Sequence, residues 1–164
     1  MEKTYYESPA GWIEITAQPE GIGSVIFRNP ESDFQAASGI LAECISQLSL
    51  YFSGNLKIFD LPLAPTGTPF QLRVWKELVK IPYGQVITYR DLAIRVQGPT
   101  YTRIVGQANS RNPVSILIPC HRVIGMNGAL IGYAGGLWRK KFLLELEQTG
   151  GRTDFSPTLF GSTP

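Results

Sequence analysis

Histidine is almost absent from this chain, with one in 164 residues, and cysteine occurs only twice. One histidine excludes a histidine-rich metal site, and two cysteines exclude the disulfide framework of a small secreted domain. No apolar run approaches the roughly 20 residues that cross a bilayer. The start, Met1-Glu2-Lys3-Thr4-Tyr5, lacks the basic-then-apolar pattern of a secretory signal. The expectation is a cytoplasmic protein in a reducing setting, with no metal, no other cofactor and no membrane partner. Acid is scarce in one part only. Residues 66–164 hold twelve Lys and Arg against five Asp and Glu, whereas residues 1–65 hold three against eight. That asymmetry points to two parts with different tasks.

The scarce residues are not scattered. The lone histidine stands beside a cysteine in Ile118-Pro119-Cys120-His121-Arg122-Val123. A thiol of ordinary pKa, about 8.5, is only a few per cent thiolate near neutral pH, so a nucleophilic cysteine needs a base. His121 supplies one, and Arg122 adds positive charge expected to favour the anion. Residues 114–118 read as a short buried extended run between Pro113 and Pro119, holding the sulfur at the end of a rigid strand. Neighbours on a straight strand point to opposite faces. The backbone is therefore expected to turn at Cys120, into one helical turn, with a water between sulfur and imidazole. A third group should orient the ring, and Glu145 and Glu147 are the candidates. Cys44 shares a helical face with Ile40, Leu41, Leu48 and Tyr51 and reads as a buried structural thiol.

Residues 4–7, 12–17 and 22–27 look like strands, separated by Ser8-Pro9-Ala10-Gly11 and Pro19-Glu20-Gly21. A helix over 36–52 follows, then a Gly54-Asn55 turn and an extended stretch at 56–59. The fold class expected is α+β. A small N-terminal α+β domain spans 1–62, a linker 63–68, and a mainly helical domain 69–148. Residues 149–164, rich in Gly, Ser, Thr and Pro, read as a flexible tail.

Within the helical domain Thr68 caps a helix with Pro69 at its first position, and Phe70, Val74, Trp75, Leu78 and Val79 form its core stripe. Thr88 caps a second helix with Asp91 three residues on, and Thr102 opens a third that ends at 108 or 109. The two short helices flanking Gly98-Pro99 outline a helix-turn-helix of winged-helix-like type. The later one, Arg103-Ile104-Val105-Gly106-Gln107-Ala108-Asn109-Ser110, carries one long charged side chain among small residues. Major-groove readers carry several long polar side chains. Small residues suit close approach to a minor groove with Arg103 as probe, or simply close packing of Gly106 and Ala108 against another helix. Arg73, Lys76, Lys80, Arg90, Arg95, Arg103, Arg111 and Arg122 face only Glu77 and Asp91, the footprint of a phosphate-backbone binder. Further on, Asn127-Gly128 marks a hairpin-like turn, and Gly132-Tyr133-Ala134-Gly135-Gly136 can line a small pocket.

Taken together these segments resemble the O6-alkylguanine-DNA alkyltransferases. The signature is Asn112-Pro113-Val114-Ser115-Ile116-Leu117-Ile118-Pro119-Cys120-His121-Arg122-Val123-Ile124. It is joined at family spacing by Ile81-Pro82-Tyr83-Gly84-Gln85-Val86-Ile87-Thr88-Tyr89, the helix from Arg103 to Asn109, the glycine loop, and Leu143-Leu144 with Glu147. The likeness is strong over about 66–148 and looser before. It implies that Cys120 accepts an alkyl group from guanine O6 in one irreversible SN2 transfer. His121 would deprotonate the thiol through a water, with Glu147 rather than Glu145 orienting the imidazole. Tyr89 would rotate the DNA phosphate and donate a proton toward guanine N3, and Arg103 would fill the gap left by the extruded nucleotide.

Gly106, Ala108 and Arg111 join the implied DNA-binding set. Main-chain groups at Cys120, Val123 and Ala134, with Tyr133, would line the base pocket, and Asn112 would brace the turn. The implied partner is double-stranded DNA containing O6-alkylguanine, bound in the minor groove with little sequence specificity by a monomer. The cysteine/histidine zinc site of some relatives cannot form with a single histidine. Ala134 departs from the serine of many members, so one hydroxyl is missing from the pocket. A non-catalytic sensor of alkylated DNA would have replaced the nucleophile, and Cys120 is present. A redox enzyme would need a resolving cysteine, and Cys44 lies in the other expected domain.

Overall fold

The alternation of the first 27 residues produces a meander. β1 (Glu2–Ser8), β2 (Gly11–Gln18) and β3 (Gly21–Phe27) form an antiparallel sheet in that order. The computed structural model describes residues 1–151. Ile13, Ile15 and Ala17 of β2 point to one face, against α1 (Gly39–Phe52), whose buried stripe is Leu41, Cys44, Leu48 and Tyr51. Cys44 is fully buried, and burial pushes its thiol up to about 12, so it stays a protonated packing group.

Residues 56–59, read as an extended stretch, belong to no strand. The extended partner comes later, where Leu63 bridges Ile22 in parallel, with Ile22 N–H donating to Pro62 O at 2.8 Å and Ala64 N–H to Ile22 O at 2.8 Å. The expected linker is thus laid along β3, where Pro62 and Pro65 favour extended backbone.

The helical part comprises α2 (Pro69–Val79), β4 (Ile87–Thr88), α3 (Tyr89–Val96), α4 (Thr102–Ser110), β5 (Val123–Ile124) and α5 (Leu137–Thr149). Thr68 with Gln71, and Thr88 with Asp91, form complete capping boxes at the starts of α2 and α3. The last helix runs through Thr149 and stops at Gly150 in the left-handed region (φ 66°). The tail expected from 149 onward otherwise lies outside the described residues. β5 pairs in parallel with β4, so the Asn127-Gly128 turn closes no hairpin; it sits in a 3-10 turn, Met126–Gly128. Among the described residues no helix is long and apolar enough to cross a membrane.

Two seams join the halves. One buried cluster runs from the sheet and α1 through α2 and α4 to α5. The loop preceding Cys120 is also hydrogen-bonded to β3, Val25 N–H donating to Pro113 O (2.9 Å) and Ser115 N–H to Val25 O (3.0 Å). That loop is buried as expected but not straight. Ile116 has φ 72°, and Ile118 N–H returns to Val114 O at 3.0 Å. A β-branched residue there costs on the order of 1–3 kcal/mol. Asn112 holds the fold-back. Its amide donates to Ile118 O at 2.8 Å and accepts from Val114 N–H at 3.0 Å.

Candidate active site

After Pro119 the chain makes a single 3-10 turn, Cys120–Arg122. Three residues per turn start successive side chains about 120° apart, and the long Arg122 side chain still reaches the same carboxylate as His121. His121 and Arg122 point toward α5, where both meet Glu147. His121 Nε2 lies 2.6 Å from Glu147 Oε2. Arg122 donates from Nε to Oε1 (2.8 Å) and from Nη2 to Oε2 (3.0 Å), while its Nη1 donates to Ile81 O (2.6 Å). Tyr51 of α1 donates its hydroxyl to Oε2 at 2.6 Å, and Gly84 N–H reaches Oε1 at 3.2 Å. Glu145, the other candidate, is buried but absent from this network.

These contacts set the protonation states. Burial alone would raise the Glu147 carboxyl; His121 and then Arg122 outweigh it and hold it well below the usual carboxylate range. A carboxylate accepts only, so His121 Nε2 carries the proton and donates. Burial lowers the imidazole pKa more than Glu147 raises it, leaving the ring neutral at pH 7. Nδ1 then holds the free lone pair, and it is buried without a hydrogen-bond partner among the described residues. Burial pushes the Cys120 thiol up, while Asn112, Lys140 and the backbone N–H groups of Cys120 and His121 pull it back. Cys120 is 8% exposed, so the sulfur is nearly enclosed.

The positive charge acting on the sulfur corrects the sequence expectation. Arg122 is spent on Glu147 and Ile81, and the cation that bears on Cys120 is Lys140 of α5. Lys140 is fully buried, and burial brings its ammonium down to about 8. It donates to Ile131 O at 2.6 Å and to the Tyr89 hydroxyl at 3.2 Å. Tyr89 in turn donates to Ile131 O at 2.7 Å, and burial together with nearby Cys120 pushes its phenol up to about 12. Sequence reasoning missed Tyr51 and Lys140. Tyr51 sits on the apolar face of α1, where a tyrosine needs a partner for its hydroxyl. Lys140 shares a helical stripe with Leu143, Leu144 and Glu147, four residues that cannot all face water.

Outside this cluster, Tyr89, Thr102, Arg103, Gly106, Gln107, Ser110, Ile131 and Gly132 line an open cavity of about 440 Å³ between α4 and the glycine loop. Arg103 is exposed, and Gly106 packs near the Tyr89 ring. Arg111 is exposed at the end of α4, and Ala134 is exposed in the loop. Burial and nearby Cys120 raise the half-buried Tyr133 well above the usual phenol range. Asn112 is buried as the brace described above. Val123 is fully buried, and its N–H donates to Cys120 O.

Ala108 does not face this cavity. It is 3% exposed, and its carbonyl accepts from Trp75 Nε1 at 2.9 Å, so its small size serves packing against α2. The basic segment also divides. Arg122 is internal, and Arg73, Lys76, Lys80 and Arg95 line a separate cleft.

The model of the 6-O-methylguanine DNA methyltransferase DNA-binding domain matches residues 69–149, and that of the ribonuclease-like domain of the same proteins matches residues 1–65. The fold and site thus place the chain among two-domain 6-O-methylguanine DNA methyltransferases. A methylated-DNA–protein-cysteine methyltransferase from Methanosarcina mazei is 47% identical over 148 residues, covering 87% of this chain and 94% of that protein. The constitutive enzyme of that name from Bacillus subtilis is 53% identical over 109 residues, 66% of each chain. A crystal structure of Mycobacterium tuberculosis OGT in complex with DNA superposes with a TM-score of 0.83 at 37% identity, covering 92% of this chain and 94% of that one. The chain belongs to the methylated-DNA–protein-cysteine methyltransferase family.

Proposed function

We propose that this protein repairs O6-alkylguanine in double-stranded DNA by moving the alkyl group to its own Cys120, once per molecule. The observation that carries this reading is the His121–Glu147 contact, which leaves His121 Nδ1 as a buried free acceptor on the residue next to the nearly enclosed Cys120. His121 takes the thiol proton through a water. The sulfur lone pair forms the S–C bond as the C–O6 bond breaks, and the electron pair passes into the guanine. Tyr89, whose raised pKa keeps it protonated, donates toward N3. The thioether product has no leaving group, so the reaction is irreversible.

Guanine O6 in a duplex is paired and stacked, so the nucleotide must leave the helix before sulfur can reach it. Arg103, exposed on α4, fills the gap, and the small Gly106 lets the helix approach the minor groove. Backbone and shape dominate such binding, and sequence counts for little. The chain acts as a monomer. The M. tuberculosis relative solved with DNA supports the assignment of the partner.

The test uses duplex carrying a labelled methyl on guanine O6. Wild type and Cys44→Ser should take up label, Cys120→Ala should not, and Arg103→Ala should react slowly with duplex but normally with single strands. Label on Cys120→Ala, or equal duplex repair by Arg103→Ala, would refute the corresponding role.

A further inference from the structure

The basic excess that suggested nucleic acid is not concentrated on the α4 groove. Arg73 and Lys76 lie on α2 at helical spacing with Lys80 at its C-cap, and Arg95 joins them from the last turn of α3. All four are exposed, and they line a cleft of about 540 Å³ with Glu77, Val79 and Val96. Lys80 is paired with Glu77 at 2.8 Å, whereas Arg73, Lys76 and Arg95 have no ion pair among the described residues. Arg73 is instead held by Gln97 Oε1 at 3.0 Å, which keeps its guanidinium over the cleft.

Helix packing gives the direction of this cleft. α2 and α4 meet through their buried faces, joined by the bond from Trp75 Nε1 to Ala108 O. Their outward faces therefore look away from each other. The cleft lined by Arg73 and Lys76 shares no lining residue with the cavity that holds Arg103 and Gly106.

We propose that the α2–α3 cleft binds the phosphate backbone of a second DNA segment, so that one molecule can bridge two duplexes. Arg73 and Lys76 stand about 4.5 Å apart along α2 at 1.5 Å per residue, and Arg95 of α3 lines the same cleft. The cleft sets four cationic side chains around a floor formed by Val79 and Val96, with Glu77 as its one acid, and such charge suits contact with a phosphate backbone without sequence readout. Three unpaired cations give a salt slope of about −2.7, so raising salt from about 50 to 150 mM should weaken this contact about twentyfold.

The test mixes donor-labelled and acceptor-labelled short lesion-free duplexes with full-length protein and reads energy transfer. Wild type should bridge them, with transfer lost as salt rises. Arg73→Ser combined with Lys76→Ser and Arg95→Ser should abolish bridging and leave methyl transfer to Cys120 unchanged. Circular dichroism and the intact transfer rate show that the variant is folded. Absence of bridging by wild type, or its persistence in the triple variant, overturns the proposal. So does displacement of the second duplex by poly-glutamate at matched charge, which would assign the cleft to an acidic protein. The Cys120 chemistry is read separately, so either proposal can fail alone.

Discussion

Replacing Glu147 with glutamine keeps the side chain's shape and removes its charge. The carboxylate accepts from His121, Tyr51, Gly84 and two nitrogens of Arg122. An amide offers one oxygen, and its NH2 group must face donors whichever way it is placed. The guanidinium of Arg122, itself 6% exposed, would be left without an anion. Removing one partner of a buried ion pair costs about 3–5 kcal/mol, a large part of a typical total of about 5–15 kcal/mol. At about 2–4 °C per kcal/mol for this size, Tm should fall by about 10 °C. With Nε2 no longer tied to an anion, Nδ1 is no longer kept free. Transfer to Cys120 should slow on the order of 100-fold, at the lower end of general-base contributions.

The pH dependence has a definite sign. The folded pKa of Glu147 is depressed, so its contribution is present above the ordinary carboxylate value of about 4.3 and fades as pH falls below it. The stability gap between wild type and variant should therefore narrow in acid. Thermal unfolding across pH, with single-turnover transfer, checks both effects. A Tm within about 2 °C of wild type together with an unchanged rate would refute the hub role of Glu147.

Other consequences follow from the same contacts. His121→Ala should react slowly at neutral pH and gain about tenfold per pH unit between about 7 and 9, because the buried thiol must then ionise unaided; a flat profile would contradict this. Lys140→Met fills similar space without an ammonium. It should loosen Ile131 and Tyr89, seen as faster amide exchange in the glycine loop, and slow transfer about tenfold or more. Ala108→Leu should lower stability by about 1–3 kcal/mol through overpacking against α2, with DNA affinity of the folded fraction unchanged. Alkylated Cys120 adds volume at a nearly enclosed position, so the spent form should also lose about 1–3 kcal/mol; equal melting of both forms would count against it.

What could be read from the chain was what depends on neighbouring residues. Thr68 and Thr88 announce helix starts because capping boxes close within three residues. The adjacency of Cys120 and His121 was visible because it is covalent. The fold-back at Ile116 was not, because it depends on the Asn112 amide bridging residues 114 and 118 in space. Tyr51 lies 96 residues from Glu147, and no local pattern joins them. Arg122 was read as a partner of the thiol because it is close in sequence, but the 3-10 turn rotates it toward α5. Ala108 fitted both a DNA-facing and a packing role until Trp75 decided between them.

The most direct measurement is the stoichiometry of transfer. Incubated with excess duplex bearing O6-methylguanine, the protein should repair one lesion per chain and gain one methyl, found by peptide mass mapping on Cys120. Repair continuing beyond one lesion per chain, a methyl on Cys44, or an unmodified protein after repair would contradict the account.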